Sequence, residues 1–231
     1  MNDRVIGIIG GMGPEATANL YMKIIKATKV SKDQDHFRII IDSNAKIPDR
    51  TKAILGLGES PLGALKETIE LLEKAGVDIA CIPCMTSHYF FEDMKSFAKY
   101  PIMNAFEELS KYIKKNHPTV KKVGVMATTG TKNTGLFDKY LSDFEIIYPT
   151  DEIQTGKVMK AIYDEEIGIK SGHTSGAPIE LLVEAGEHLI EKGAEILISG
   201  CTEIGLVLNS SHFEKTIIDP MDVIAEAITE G

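Results

Sequence analysis

The chain has 231 residues and 43% hydrophobic content, enough for one large or two small domains with real cores. A net charge of −9 and a pI near 5.2 argue against a broad nucleic-acid or anionic-membrane surface, but leave room for an anionic small molecule held by one or two cations. No apolar run approaches the roughly 20 residues of a membrane span, Met1-Asn2-Asp3-Arg4 leads into a strand-like run without a signal-peptide layout, and three cysteines make no disulfide framework, so a reduced cytoplasm is the expected location.

Along the chain, short β-branched apolar runs alternate with amphipathic helical patterns. Strands are expected at Val5–Ile9, Phe37–Ile41, Ile79–Ile82, Val123–Met126, Phe144–Ile147 and Ile196–Ser199. They are continuous apolar runs, as in parallel strands covered on both faces. Helices are expected from Pro14 to about Thr28, Pro61 to about Lys74 and Pro178 to about Lys192, each with proline at a first-turn position. Asn133–Leu141, Thr155–Tyr163 and Met221–Thr229 are further helical candidates. The alternation predicts an α/β fold with parallel sheets and right-handed crossovers.

An internal repeat organises these elements. Cys84 and Cys201 lie 117 residues apart, and the same shift carries Gly7 onto Gly124 and Gly76-Val77-Asp78-Ile79 onto Gly193-Ala194-Glu195-Ile196. The expected architecture is two similar parallel-sheet α/β domains related by a pseudo-two-fold, with the active site between them. The first domain comprises residues 1–103 plus a returning tail, 211–231, and the second comprises 104–210.

Ligands in open α/β sheets bind beyond the carboxyl ends of strands. Four segments fall there: Gly10-Gly11-Met12-Gly13-Pro14, Pro83-Cys84-Met85-Thr86-Ser87, Ala127-Thr128-Thr129-Gly130-Thr131 and Gly200-Cys201-Thr202-Glu203. Cys84 and Cys201 each end a strand, where backbone N–H groups favour an anion. Two thiols at equivalent places suit chemistry that needs a proton acceptor on one face of a carbon and a donor on the other. Gly11-Met12-Gly13-Pro14-Glu15-Ala16 also matches a dinucleotide fingerprint, but Asp42 lies beyond the usual spacing and the fingerprint leaves the paired cysteines unexplained. Cys81-Ile82-Pro83-Cys84 has redox spacing, yet Cys81 falls inside a strand opposite the repeat's Ile198, a packing position. No His/Cys cluster has zinc spacing. His88 follows Cys84 by four residues and reads as a half-buried, backbone-bonded histidine. His36, His117 and His212 read as surface residues. Arg50, in the turn-rich Ile47-Pro48-Asp49-Arg50-Thr51, and Lys170 are the candidate carboxylate-binding cations.

On these motifs the chain resembles the cofactor-independent aspartate/glutamate racemase family over essentially its whole length. Gly10–Thr17 is similar to that family's N-terminal signature, Ile47–Thr51 to its substrate-carboxylate segment, and Pro83–His88 and Gly200–Glu203 to its two catalytic-cysteine motifs. Asp219-Pro220 resembles the stretch before its last helix. The resemblance implies that Cys84 and Cys201 are acid–base thiols and that Arg50 and Lys170 hold substrate carboxylates. It implies that Thr129, Gly130 and Thr131 line the carboxylate pocket, with Met12, Met85, Thr86 and Thr202 around the amino acid. It further implies no pyridoxal phosphate or metal, a small-molecule amino-acid substrate and a homodimer. The family usually has asparagine where this chain has Met85, which removes an amide donor and leaves a backbone N–H.

The expected function is therefore a cofactor-independent amino-acid racemase with a two-base proton transfer at the α-carbon. The rivals are a hydantoin racemase, a maleate isomerase, an arylmalonate decarboxylase, which typically needs one cysteine, and a non-catalytic amino-acid-binding homologue.

Overall fold

Val5–Gly10 (β1), Arg38–Ser43 (β2) and Ile79–Cys81 (β3) form a three-stranded parallel sheet in the order β2-β1-β3. A second parallel sheet holds Lys122–Met126 (β4), Glu145–Ile147 (β5), Ile196–Ser199 (β6) and Ile217–Ile218 (β7) in the order β5-β4-β6-β7. The coordinates are a computed structural model and describe residues 4–230. The chain divides into two compact units, Met1–Glu108 with Met221–Gly231, and Leu109–Pro220.

The repeat has a physical basis in each sheet. A Cβ on Gly7 would come within 2.8 Å of Val77 and 3.3 Å of Ala80. A Cβ on Gly124 would meet Ala194 at 2.9 Å and Leu197 at 2.8 Å, the same two positions shifted by 117. Both central strands thus lack a side chain where the third strand and its approach loop press against them. Gly76 and Gly193 both end helices with positive φ, at 77° and 95°, which glycine adopts without steric cost. Asp78 then accepts a hydrogen bond from the Val5 N–H at 2.7 Å, and its counterpart Glu195 accepts one from Lys122 N–H at 2.9 Å. The carboxylate at this position pins the start of the central strand in both units.

In the first unit, Leu20 and Ile24 of the helix Pro14–Ala27 are fully buried. So are Leu65, Ile69 and Leu72 of Leu62–Lys74, which pack with Ile9, Ala80 and Ile82. Each such side chain contributes about 1.5–3 kcal/mol of apolar burial. In the second unit, Leu182, Ala185 and Leu189 of Ala177–Glu191 close over Leu197 in the same manner.

Several elements differ from the sequence reading. The end strands β2 and β5 are not covered on both faces: β2 has only exposed and half-buried residues, and β5 is buried only at Ile147. Ala105–Asn116 is helical, with Asn104 Oδ1 accepting from the N–H groups of Phe106 at 3.0 Å and Glu107 at 3.4 Å. The helix expected over 133–141 is two short ones, Thr129–Asn133 and Leu136–Tyr140, parted at Gly135 with φ 64°. The segment expected as Thr155–Tyr163 opens instead as a π-helical turn, Gln154–Met159, before Lys160–Tyr163.

The tail also divides differently. The change-over expected near 103 falls after Glu108, and the tail rejoins the first unit at Met221 rather than at 211. The reason is β7, which pairs with β6 and keeps 217–218 in the second sheet. The helix Pro220–Glu230 is tied to the first unit by Lys23–Asp222 at 2.5 Å and by Arg4 on the Ile228 carbonyl.

Candidate active site

In the first unit, the carboxyl ends of β1 and β3 carry Met12 and the Cys84 loop. Gly11 turns the chain with φ 90°, and a Cβ there would lie 2.2 Å from the Asn44 backbone, so only glycine fits. Cys84 is 5% exposed and Met85 2%. Met12 is buried as well, and its sulfur accepts a hydrogen bond from Ser87 Oγ at 3.1 Å.

His88 is not a partner of the Cys84 thiol. Its Nε2 accepts from the Ala105 N–H at 3.0 Å, which places the ring proton on Nδ1, and Nδ1 donates to the Cys84 carbonyl at 3.0 Å. The ring is stacked on Phe91 and edge-on to Phe106. Burial pushes its pKa down to about 4, so it is neutral at physiological pH. It is fully rather than half buried, and it fixes the backbone of the Cys84 loop.

Arg50 begins a short helix, Arg50–Ile54, capped by Asp49, whose carboxylate accepts from the Lys52 N–H at 2.8 Å. The Arg50 guanidinium donates to the carbonyls of Ile47 at 3.1 Å, Pro48 at 2.9 Å and Met12 at 3.5 Å. Among the described residues no carboxylate pairs with it, and its Nε is buried without a hydrogen-bond partner. Carbonyl dipoles orient the cation but leave its charge in place for an anion.

In the second unit, Thr128 caps the turn after β4, its Oγ1 accepting from the Thr131 N–H at 3.2 Å. Gly130 and Thr131 are buried and Thr129 is half-buried. At the end of β6, Cys201 is 6% exposed and donates from Sγ to Glu203 Oε2 at 2.8 Å. Thr202 Oγ1 donates to the same oxygen at 3.3 Å, and Lys170 Nζ donates to Oε1 at 2.5 Å.

The charges in this chain of contacts follow from competing terms. Burial opposes ionisation of Glu203, but the Lys170 charge and the hydrogen bonds from Cys201 and Lys170 outweigh it and hold the carboxyl below its ordinary range. Burial opposes the Lys170 ammonium too, yet Glu203 leads the groups that raise its pKa above the usual lysine value. Burial and then the Glu203 charge push the Cys201 thiol well upward, and Lys170 offsets this only in part. At neutral pH the site therefore holds a thiol, a carboxylate and an ammonium in line.

A family model described as Asp/Glu/Hydantoin racemase matches residues 9–228. The chain belongs to this racemase family. Its members catalyse isomerase chemistry, and this chain is an enzyme of that class. The chain is 29% identical to the broad specificity amino-acid racemase RacX of Bacillus subtilis, with 96% of each chain covered. Among solved structures it is similar to the aspartate racemase of Picrophilus torridus, with TM-score 0.83, 25% identity and coverage of 98% and 93% of the two chains. The glutamate racemase of Francisella tularensis, in complex with D-glutamate, shares the fold at TM-score 0.69 and 18% identity, with 100% of this chain and 81% of that one covered.

Within this racemase, four residues to which the sequence reading gives no role touch residues that it assigns to the site. Glu203 joins Lys170 to Cys201, Gln154 and Met159 both contact Thr129, and Ser87 holds Met12. Glu203 carries a sequence signal, since a carboxylate four residues after the end of a buried strand needs a cation. Gln154 and Met159 carry none, because their common orientation depends on the π turn.

The two decoys resolve structurally. Cys81 is fully buried in β3 with its sulfur 3.7 Å from the Gly7 carbonyl, and burial pushes its thiol up to about 12. Asp42 accepts from Thr68 Oγ1 at 2.6 Å and so is engaged within the protein. The three histidines expected on the surface, His36, His117 and His212, are all partly buried, and His212 closes a capping box with Asn209. Among the described residues no cluster of His, Cys, Asp and Glu could hold a metal ion, and no helix is long and apolar enough to cross a membrane.

Proposed function

We propose that this racemase inverts the α-carbon of aspartate, glutamate or a related amino acid by a two-base transfer between Cys84 and Cys201, without pyridoxal phosphate. The observation that carries the reading is the pair of buried thiols at repeat-equivalent strand ends, one of them held as a thiol on the Glu203–Lys170 pair. In one direction the Cys84 thiolate takes the α-proton as the Cα–H bond breaks, and Cys201 S–H delivers a proton to the opposite face of the carbanion. This leaves Cys84 as thiol and Cys201 as thiolate, the state that starts the reverse reaction. Lys170 favours that thiolate electrostatically.

The α-proton is a poor acid, so donors must hold the negative charge that develops on the substrate carboxylate. Arg50 retains an uncompensated charge, and the Thr129–Thr131 turn offers backbone and hydroxyl donors. Lys170 donates to Glu203 and lies over the Tyr163 ring, and of its three donors one or more remain for substrate. Met12, Thr86, Thr202 and the Met85 backbone surround the amino acid in this reading. The Met85 thioether in place of an amide favours a wider substrate range, in keeping with the similarity to the broad specificity amino-acid racemase of Bacillus subtilis. A homodimer in the cytoplasm belongs to the same reading by resemblance. The test is a chiral assay of the reduced, cofactor-free protein against both enantiomers of aspartate, glutamate and a panel of neutral and basic amino acids. Inversion of the dicarboxylates is expected. Inversion of none of the panel overturns the reading in favour of a binding protein or another reaction of the family.

A further inference from the structure

The π turn Gln154–Met159 puts two side chains on one residue of the proposed carboxylate turn. Gln154 Nε2 donates to Thr129 Oγ1 at 3.4 Å, and Met159 Sδ accepts from the Thr129 N–H at 3.2 Å. These residues are five apart. In an α-helix, five residues turn through about 500°, which leaves their side chains roughly 140° apart. A π turn bonds i to i+5 and stacks such residues on one side. The irregular turn is thus what brings both side chains to Thr129, and π turns of this kind are frequent at functional sites.

The Gln154 carboxamide is fixed in orientation. It is 3% exposed, and its Nε2 donates to the buried Ala127 carbonyl at 2.9 Å. Flipping the amide would set two carbonyl oxygens against each other, so Nε2 stays inward and Oε1 is presented elsewhere. That Oε1 is buried and has no hydrogen-bond partner. Buried acceptors are nearly always satisfied, and an orphan calls for an explanation. A carbonyl oxygen cannot bind a carboxylate; it takes an N–H or O–H donor. On Thr129, which the Gln154 amide touches through Nε2, the backbone N–H is held by a thioether, a weak acceptor that an incoming anion displaces at small cost. An unsatisfied acceptor and a loosely held donor on two residues in contact match the two ends of an α-amino acid, its ammonium and its carboxylate.

We propose that Gln154 is a substrate-binding residue whose Oε1 accepts a hydrogen bond from the substrate α-ammonium while the Thr129 turn takes the carboxylate. This rests on the amino-acid racemase reading above, and it makes Gln154 the group in the second unit that distinguishes an amino acid from a plain dicarboxylic acid.

The test is calorimetric titration of the full chain and of Gln154→Met with DL-aspartate and with succinate, which keeps both carboxylates and lacks the ammonium. Wild type is expected to bind aspartate more tightly than succinate. Gln154→Met is expected to lose about tenfold or more in aspartate affinity, the weight of a hydrogen bond to a charged group, and less than about threefold for succinate. Equal losses for both ligands, or no loss for either, overturn the assignment while leaving the racemase reading standing. Wild type that binds neither ligand overturns the dicarboxylic amino-acid reading itself. A second measurement does not need the variant to fold: the Gln154 side-chain carbonyl carbon resonance of the wild type is expected to move with aspartate and stay with succinate. The same movement with both overturns the assignment.

Discussion

Removing the charge of Glu203 with Glu203→Gln isolates the ion pair behind Cys201. The Glu203 side chain is 8% exposed and that of Lys170 29%, so this is a pair withdrawn from water on one side and partly screened on the other. Breaking a fully buried pair costs about 3–5 kcal/mol because a charge is stranded. Here Lys170 can reach water and the amide oxygen still accepts from it, so we expect about 2 kcal/mol at pH 7. For a chain of this size that is a fall of roughly 4–8 °C in Tm. Lys170→Met strands the more buried partner and should cost more, about 3–4 kcal/mol. The pH dependence has a definite sign. Glu203 has a folded pKa below its ordinary 4.5, so the stability it contributes is present above pH 4.5 and is lost as pH falls through the folded value. The gap between wild type and Glu203→Gln should hold constant from about pH 6 to 8 and close below about pH 4.5. Thermal melts of the three proteins across that range measure it. If Glu203→Gln melts within a degree of wild type at pH 7, or the gap widens in acid, the pairing argument is wrong.

Other outcomes follow from local packing and burial. A Cβ at Gly124 would meet Leu197, Ala194 and Leu189 within 3.1 Å, so Gly124→Ala should lose about 1–3 kcal/mol in urea unfolding. Gly11→Ala, with its positive φ and backbone clash, should lose more and carry the Met12 loop with it; equal losses would refute the role given to Gly11. Cys81 should resist iodoacetamide in the native protein at pH 8 because burial holds it as a thiol with a pKa of about 12, so rapid native labelling there would contradict the core placement. His88 is depressed from 6.5 to about 4, so the folded state resists its protonation and stability falls as pH drops from 6.5 toward 4. The loss should reach about 3 kcal/mol, and a His88→Gln variant, lower in stability at pH 7, should lack that acid slope in urea melts.

The repeat is the part of the molecule most legible in the sequence, because it is written in residues with one structural answer. Gly7 and Gly124 admit the same neighbours, Gly76 and Gly193 take the same left-handed turn, and Asp78 and Glu195 make the same bond. The central strands are equally plain, since residues buried on both faces leave unbroken apolar runs. The end strands mislead because an apolar run does not reveal which strand lies at a sheet's edge. Phe106, Leu109 and Ile113 are fully buried at helical spacing after Asn104, a signal that the sequence reading passes over by placing a domain boundary there. The π turn is illegible for a different reason: Gln154 and Met159 fall on different sides of an ideal helix, and only the irregular turn brings both to Thr129. His88 shows the same limit, for its distance from Cys84 in sequence does not reveal that Ala105 occupies its other nitrogen.

The two-base claim is tested most directly by the deuterium content of both enantiomers during early turnover of L-aspartate in D2O. Two thiols on opposite faces predict that newly formed D-aspartate carries deuterium at the α-carbon while recovered L-aspartate still carries hydrogen. Deuterium entering the recovered L-aspartate as fast as the product would mean that one base serves both faces, and the roles given to Cys84 and Cys201 would fail.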